Sequence, residues 1–239
     1  MEVPSIVDML KAGMHFGHKA SRWYPKMEPY IFEERQGIHV IDLEKTQEML
    51  ADMLEEIKER AADGETILFM STKPQASDVL ESAAQEVDMP YLADRWVGGL
   101  FTNFSEVRKS VDKYLDLKEQ RASGELERYT KKEQVEISKY IDKKEEYLGG
   151  LTSLKEVPDV LFVPSVQNEK IATKEARESG VEVIGVCDTN ADPEEADVFV
   201  PANDDAVKSI EMIVNLVRDA IKEGLEEYEK EQTIKEENN

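Results

Sequence analysis

The chain has 239 residues, 40% of them hydrophobic, with 30 Lys plus Arg against 52 Asp plus Glu and a net charge of −22. That length holds one well-packed domain with an appendage. No apolar run approaches the ~20 residues that span a bilayer, the start lacks a charged-then-apolar leader, and the lone Cys187 precludes an internal disulfide and suits a reducing cytosol.

In chain order, residues 4–13 read as a short helix closed by Gly13. A loop rich in aromatic and basic residues follows, with His15, Phe16, His18 and Lys19, then Arg22, Trp23 and Lys26. Flat rings offer stacking surfaces and cations meet phosphate. His15 and His18 have the spacing of a metal pair, but no Cys or third His lies near to complete a zinc site, so no metal or other cofactor is expected. Residues 30–32 and 38–41 read as two short strands across a turn at 35–37, and 43–62 as a strongly periodic helix.

Residues 66–70 form a continuous apolar run, the pattern of a strand buried on both faces. A polar turn with Lys73 leads into a helix over 75–87. A strand, a turn carrying Lys and a helix N-terminus could hold a phosphate, yet the glycines of a nucleotide loop are missing. A short strand is expected over 89–93. After residue 150 the alternation resumes, with strands at 159–163, 181–186 and 197–200 and helices at 167–179 and 203–224. This predicts an α/β fold: a doubly wound, mainly parallel sheet of the Rossmann-like or flavodoxin-like kind.

Between the two halves lie residues 105–149, two densely charged helical segments that alternation does not require. Apolar residues at Phe104, Val107, Val111, Tyr114 and Leu115 mark one face of the first segment, and Ile137, Tyr140, Ile141 and Leu148 mark the second. Asn103 and Glu106 have capping-box spacing, and residues 122–124 supply a turn. The stripes are too thin for a core position, so the prediction is a protruding antiparallel α-helical hairpin of coiled-coil type. The division is therefore 1–104 for the first part of the α/β domain, 105–149 for the hairpin, 150–224 for the second part and 225–239 for a disordered tail.

Charge is unevenly spread. Residues 105–149 hold 11 basic and 11 acidic residues, and residues 1–37 hold five of each, so the other 157 residues carry the whole net charge of −22. Taken whole, that charge argues against nucleic acid. With screening over about 8 Å at physiological salt, a neutral or basic face can still meet phosphate. The plain alternative is that alternating charges only solvate a helix.

Strand-end residues Lys73, Ser165, Asp188 and Asn190 would lie where such folds bind ligands. Two readings follow. One is a nucleotide- or small-ligand-binding enzyme using Lys73 and Asp188. The other treats residues 188–190 as caps of the following turn. No catalytic histidine with a partner and no nucleophile elbow supports the first. Arg95 and Trp96, just before Gly98 and Gly99, could meet phosphate or pack on the sheet.

The motifs at 9–18, 25–27, 42–46, 95–103, 148–150, 158–163, 188–193 and 201–206, in this order, resemble the family of bacterial-type ribosomal protein two of the small subunit. The resemblance spans about residues 5–222. It implies a non-catalytic structural constituent of the small ribosomal subunit in the cytoplasm, with a Rossmann-like domain and a helical hairpin. Small-subunit rRNA and neighbouring ribosomal proteins, among them the OB-fold-repeat ribosomal protein one, are the implied partners; no membrane and no small-molecule substrate is implied. The residues expected at rRNA are His15, Phe16, His18, Lys19, Arg22, Trp23, Lys26, Arg95 and Trp96, with Arg108, Lys109, Lys131 and Lys132 on the hairpin.

Overall fold

The computed structural model describes residues 3–237. Helix α1 (Ile6–Ala12) starts at a Ser5 cap and stops at left-handed Gly13. A small antiparallel sheet follows, built from β1 (Phe16–Lys19), β2 (Ile31–Arg35) and β3 (Ile38–Ile41) in the order β1-β3-β2. The expected loop thus contains a strand and two short 3-10 turns, Ala20–Arg22 and Pro25–Tyr30. β1 has only four residues, Phe-Gly-His-Lys. Sequence alone gives so short a strand no periodicity; its partner β3 supplies the hydrogen bonds.

The body follows the alternation. Helix α2 (Leu43–Ala62) precedes β4 (Ile67–Met70), α3 (Pro74–Glu86) and β5 (Tyr91–Leu92). Later come β6 (Val160–Val163), α6 (Lys170–Ser179), β7 (Glu182–Cys187), β8 (Val198–Pro201) and α7 (Val207–Glu237). The five strands pair in parallel in the order β5-β4-β6-β7-β8. Counted from β4, that is the 2-1-3-4-5 order of flavodoxin-like sheets, with its switch point between β4 and β6.

Both faces of this sheet are covered, as the apolar runs require. Ile67 and Phe69 of β4 enter a core with residues of α2, α3 and α7, while Leu68 and Met70 enter a second core on the other side. The alternation is the two-residue period of a strand. Phe69 and Phe162 meet edge to face at 5.4 Å inside the first core.

Helices α4 (Phe104–Ser123) and α5 (Lys131–Leu148) occupy the middle of the chain. Their pairs Lys118–Glu145 and Arg121–Asp142 join residues whose numbers rise on one helix and fall on the other. The capping box lies elsewhere than expected: Asn103 makes no side-chain cap, whereas Thr130 and Glu133 cap α5 reciprocally. The connection is also longer, with a 3-10 turn at Glu125–Arg128 that buries Leu126. Val107, Val111 and Leu148 join the second body core. The roots of these helices are therefore part of the body, against the expectation that the stripes stay outside it.

The expected disordered tail is corrected for its described part. α7 does not stop at Gly224 but continues to Glu237; residues 238 and 239 lie outside the described residues. Leu225 still packs on the core, Glu227 pairs with Lys58 at 2.8 Å and the Tyr228 ring lies against Gly64. Gly224 permits the crossing with α2, since a Cβ there would stand 2.3 Å from the Lys58 carbonyl oxygen. Tertiary packing thus overrides a polar composition that reads as unstructured. Gly224→Ala is expected to cost about 1–3 kcal/mol through overpacking, read by chemical denaturation; wild-type stability would refute the close α2–α7 packing.

Candidate functional site

The carboxyl ends of β4, β6 and β7, where this fold class holds its ligands, are filled by the chain's own side chains. Asp188, just after β7, and Asp204, ahead of α7, are each 1% exposed. Buried carboxylates need compensating partners. Lys73, from the turn after β4, lies 2.8 Å from Asp204 Oδ1 and 2.8 Å from Asp205 Oδ1. Ser165 after β6 donates to Asp204 Oδ2 at 2.6 Å. Thr72 donates through its backbone N–H to Glu169 Oε1 at 2.6 Å, and Asn168 bonds Thr72 Oγ1 at 2.6 Å.

A further titratable member of the cluster arrives from the front of the chain. His18 of β1 places Nδ1 3.1 Å from Asp188 Oδ1 and Nε2 3.4 Å from Asp205 Oδ2. Its backbone N–H donates to Thr189 Oγ1 at 2.9 Å. A Cβ on neighbouring Gly17 would stand 2.6 Å from the Thr189 methyl, so glycine is what lets β1 approach. The hydrogen bond to Asp188 pushes the His18 pKa above its usual value and outweighs the effect of burial. Burial and the neighbouring Asp188 charge raise the Asp204 pKa, against the pull of Lys73. Burial drives the Cys187 thiol well up, which leaves it unreactive.

His18, Asp188 and Asp204 bring ligand atoms within 4.8 Å of one another, the sole such metal-like grouping among the described residues. His15 is no part of it. Lys73 already answers the buried negative charge there, and His18 lies between Asp188 and Asp205. The enzyme candidates Lys73 and Asp188 thus neutralise or cap: Asp188 Oδ1 accepts from the Thr189 N–H at 2.5 Å.

A second internal anion shapes the loop before α4. Glu175 of α6 accepts from Trp96 Nε1 at 2.8 Å, from the backbone N–H groups of Gly99, Phe101 and Thr102 at 3.1, 3.0 and 3.1 Å, and from Thr102 Oγ1 at 3.0 Å. Burial raises its pKa, but these donors outweigh burial and leave it below the usual value. Nothing in the sequence singles out Glu175 on an otherwise ordinary helix.

The residues expected at RNA sort into two groups. Several are engaged within the chain. His18 lies in the cluster, and the Trp96 indole N–H is taken by Glu175. Lys26 pairs with Glu194 and lies 3.6 Å from Asp192. Arg108 binds Asp112 at 2.7 Å and the Leu154 carbonyl at 2.7 Å, and Lys109 pairs with Glu106 at 2.6 Å. His15 is half-buried against Phe16, and burial lowers its pKa, so it stays neutral near pH 7.

Others face solvent. Phe16 is 53% exposed and Trp23, edge-on to His39, is 36% exposed. Lys19, Arg22 and Lys131 are exposed and have no ion-pair partner among the described residues. Lys132 is 88% exposed and reaches Glu136 only at 4.0 Å. Arg95 is exposed and stacks over Tyr147, 4.0 Å from the ring centre.

His18 gives a pH signature. A raised pKa means its contribution to stability is fully present below the unfolded value near 6.5 and is lost as pH rises through the folded value. NMR titration is expected to place His18 above 6.5, and Asp188→Asn to bring it down; a midpoint at or below 6.5 in the wild type would contradict the cluster. Glu175→Gln sets an amide donor among backbone donors and is expected to lose at least about 2 kcal/mol, measured by chemical denaturation.

The sequence profile of the family "Ribosomal protein S2" matches residues 9–224. The chain is 44% identical over 217 residues to "Small ribosomal subunit protein uS2" of Geotalea uraniireducens (strain Rf4), covering 91% of this chain and 85% of that protein. It is 43% identical over 217 residues to the protein of the same name from Wolinella succinogenes, covering 91% and 80%. With its strand-end crevice closed by its own charges and a family match over most of its length, the chain belongs to the ribosomal protein S2 family, non-catalytic structural constituents of the small ribosomal subunit.

Proposed function

We propose that the protein meets small-subunit rRNA through two surfaces, the front segment around β1 and a projecting arm formed by α4 and α5. The observation that carries this reading is the distribution of uncommitted charge. Lys19, Arg22, Lys131 and, nearly so, Lys132 point to solvent without partners within the chain, beside exposed Phe16 and Trp23. Elsewhere on the body, Lys58, Arg60, Lys73 and Arg218 are paired with acids, while Lys155, Lys208 and Lys222 are also exposed without an ion pair among the described residues, so it is the exposed rings beside the front cations that set that surface apart. Phosphate contacts of this kind position a protein without reading sequence. His18, Trp96 and Arg108 then act indirectly, by fixing the segments that carry the exposed groups.

On the same reading the protein works within cytoplasmic ribosomes and helps dock the OB-fold-repeat ribosomal protein one. The acidic body, facing away from RNA, is the surface available for protein neighbours.

The test is rRNA affinity as a function of salt. Each phosphate contact contributes about 0.7–0.9 to the log–log slope. Lys19→Gln/Arg22→Gln is expected to lower affinity at least tenfold and to flatten the slope by about 1.5. Wild-type affinity and slope in that variant would remove the front segment from the interface.

A further inference from the structure

The neutral composition of residues 105–149 conceals a directional pairing. Every cation of α4 is committed: Arg108 to Asp112, Lys109 to Glu106, Lys118 and Arg121 to Glu145 and Asp142 of α5, and Lys113 over the Tyr140 ring at 5.5 Å. Three of the five acids of α5 are consumed in the same exchange, Glu133 by its cap and Asp142 and Glu145 by α4. Left over on α4 are the acids Asp116 and Glu119; left over on α5 are Lys131, Lys139 and Lys143 against the one acid Glu146, none with an ion-pair partner among the described residues. On balance one helix therefore presents spare negative charge and the other spare positive charge.

The exposed cations of α5 are ordered. Lys132, Lys139 and Lys143 follow in steps of seven and four, which places them on one exposed stripe about 16 Å long. Glu136, 4.0 Å from Lys132, and Glu146 at the root are its acids. Beside the stripe runs a ladder of cations and rings. Arg95 lies 4.0 Å over Tyr147, and Lys144 lies 4.9 Å from Tyr147 and 5.5 Å from Tyr140. Lys113 closes the ladder from α4. Cations interleaved with half-buried aromatic rings, next to unpaired lysines, match the chemistry of single-stranded or looped RNA: phosphates meet ammonium groups, and a splayed base stacks on a guanidinium plane. Arg95 stacks on Tyr147 while remaining exposed, which leaves guanidinium surface open for a base.

We propose that the outer face of α5, with Lys132, Lys139 and Lys143 as phosphate contacts and the Arg95–Tyr147 stack as a base platform, is an RNA-docking surface, and that the α4 face turns away from RNA. This deepens the rRNA reading above and rests on it, but it names a different surface from the front segment.

Full-length variants and small-subunit rRNA decide it. Lys139→Gln/Lys143→Gln is expected to flatten the salt slope by about 1.5 and to weaken binding at least tenfold. Asp116→Asn/Glu119→Gln on α4 is expected to leave both unchanged. All four positions are exposed, so an unchanged far-ultraviolet spectrum and melting curve exclude misfolding as the cause. Arg95→Lys keeps the charge and loses the plane, so affinity is expected to fall severalfold at constant slope; unchanged affinity refutes the base platform. Wild-type slope in Lys139→Gln/Lys143→Gln, alongside a flattened slope in the front-segment variant, overturns the α5 surface and leaves the rRNA reading standing. If neither variant changes the slope, both fall. If the α5 variant keeps rRNA affinity but drops out of assembled subunits, the face serves a protein neighbour and the proposal is wrong.

Discussion

The structure turns on one electrostatic constraint: two carboxylates, Asp188 and Asp204, are buried side by side at the carboxyl ends of a parallel sheet. An uncompensated charge in such a place is costly enough to prevent burial altogether. The partners come from distant parts of the chain, Lys73 from the turn after β4 and His18 from β1. Satisfying the two acids therefore pins the front segment onto the body. It also fills the crevice that a ligand occupies in related architectures. The filled crevice and the fixed position of β1 thus have a common physical origin in this chain.

The same logic works at the root of the helical pair. Glu175 gathers donors from Trp96, Gly99, Phe101 and Thr102 and so sets the shape of the loop that enters α4. Val107, Val111 and Leu148 then anchor both helices in the second core. Beyond the root, side-chain pairs between α4 and α5 decide which charges remain for outside partners. Net charge per segment is blind to this, because a neutral pair of helices can still carry opposite charges on its two sides. An overall charge of −22 is likewise no barrier to meeting RNA where uncommitted cations gather on particular faces and screening limits repulsion from the rest.

Candidate residues identified by type sort by what surrounds them. His18, Trp96 and Lys19 belong to one class in sequence, polar or aromatic groups in a basic stretch. In the fold the first two are consumed by Asp188 and Glu175, and Lys19, the next residue after His18 along β1, is exposed. Neighbouring residues on a strand face opposite ways, so adjacency in sequence says little about shared duty.

Sequence by itself determined the architecture of the body. The apolar run at β4, the amphipathic stripes of α2 and α7 and the strict alternation of strands and helices are local patterns whose physical cause, burial of one face or two, is written in residue order. Periodicity likewise marked out α4 and α5. Only the tertiary structure decided the rest. β1 exists because β3 pairs with it, and α7 runs past Gly224 because Leu225 packs on the core, Glu227 pairs with Lys58 of α2 and Tyr228 lies against Gly64. Which charges are spent and which are free depends on partners tens to well over a hundred residues away in the chain, such as Asp188 for His18. Burial energy is local enough to leave a period in the sequence; charge compensation is a relation between distant residues and leaves none.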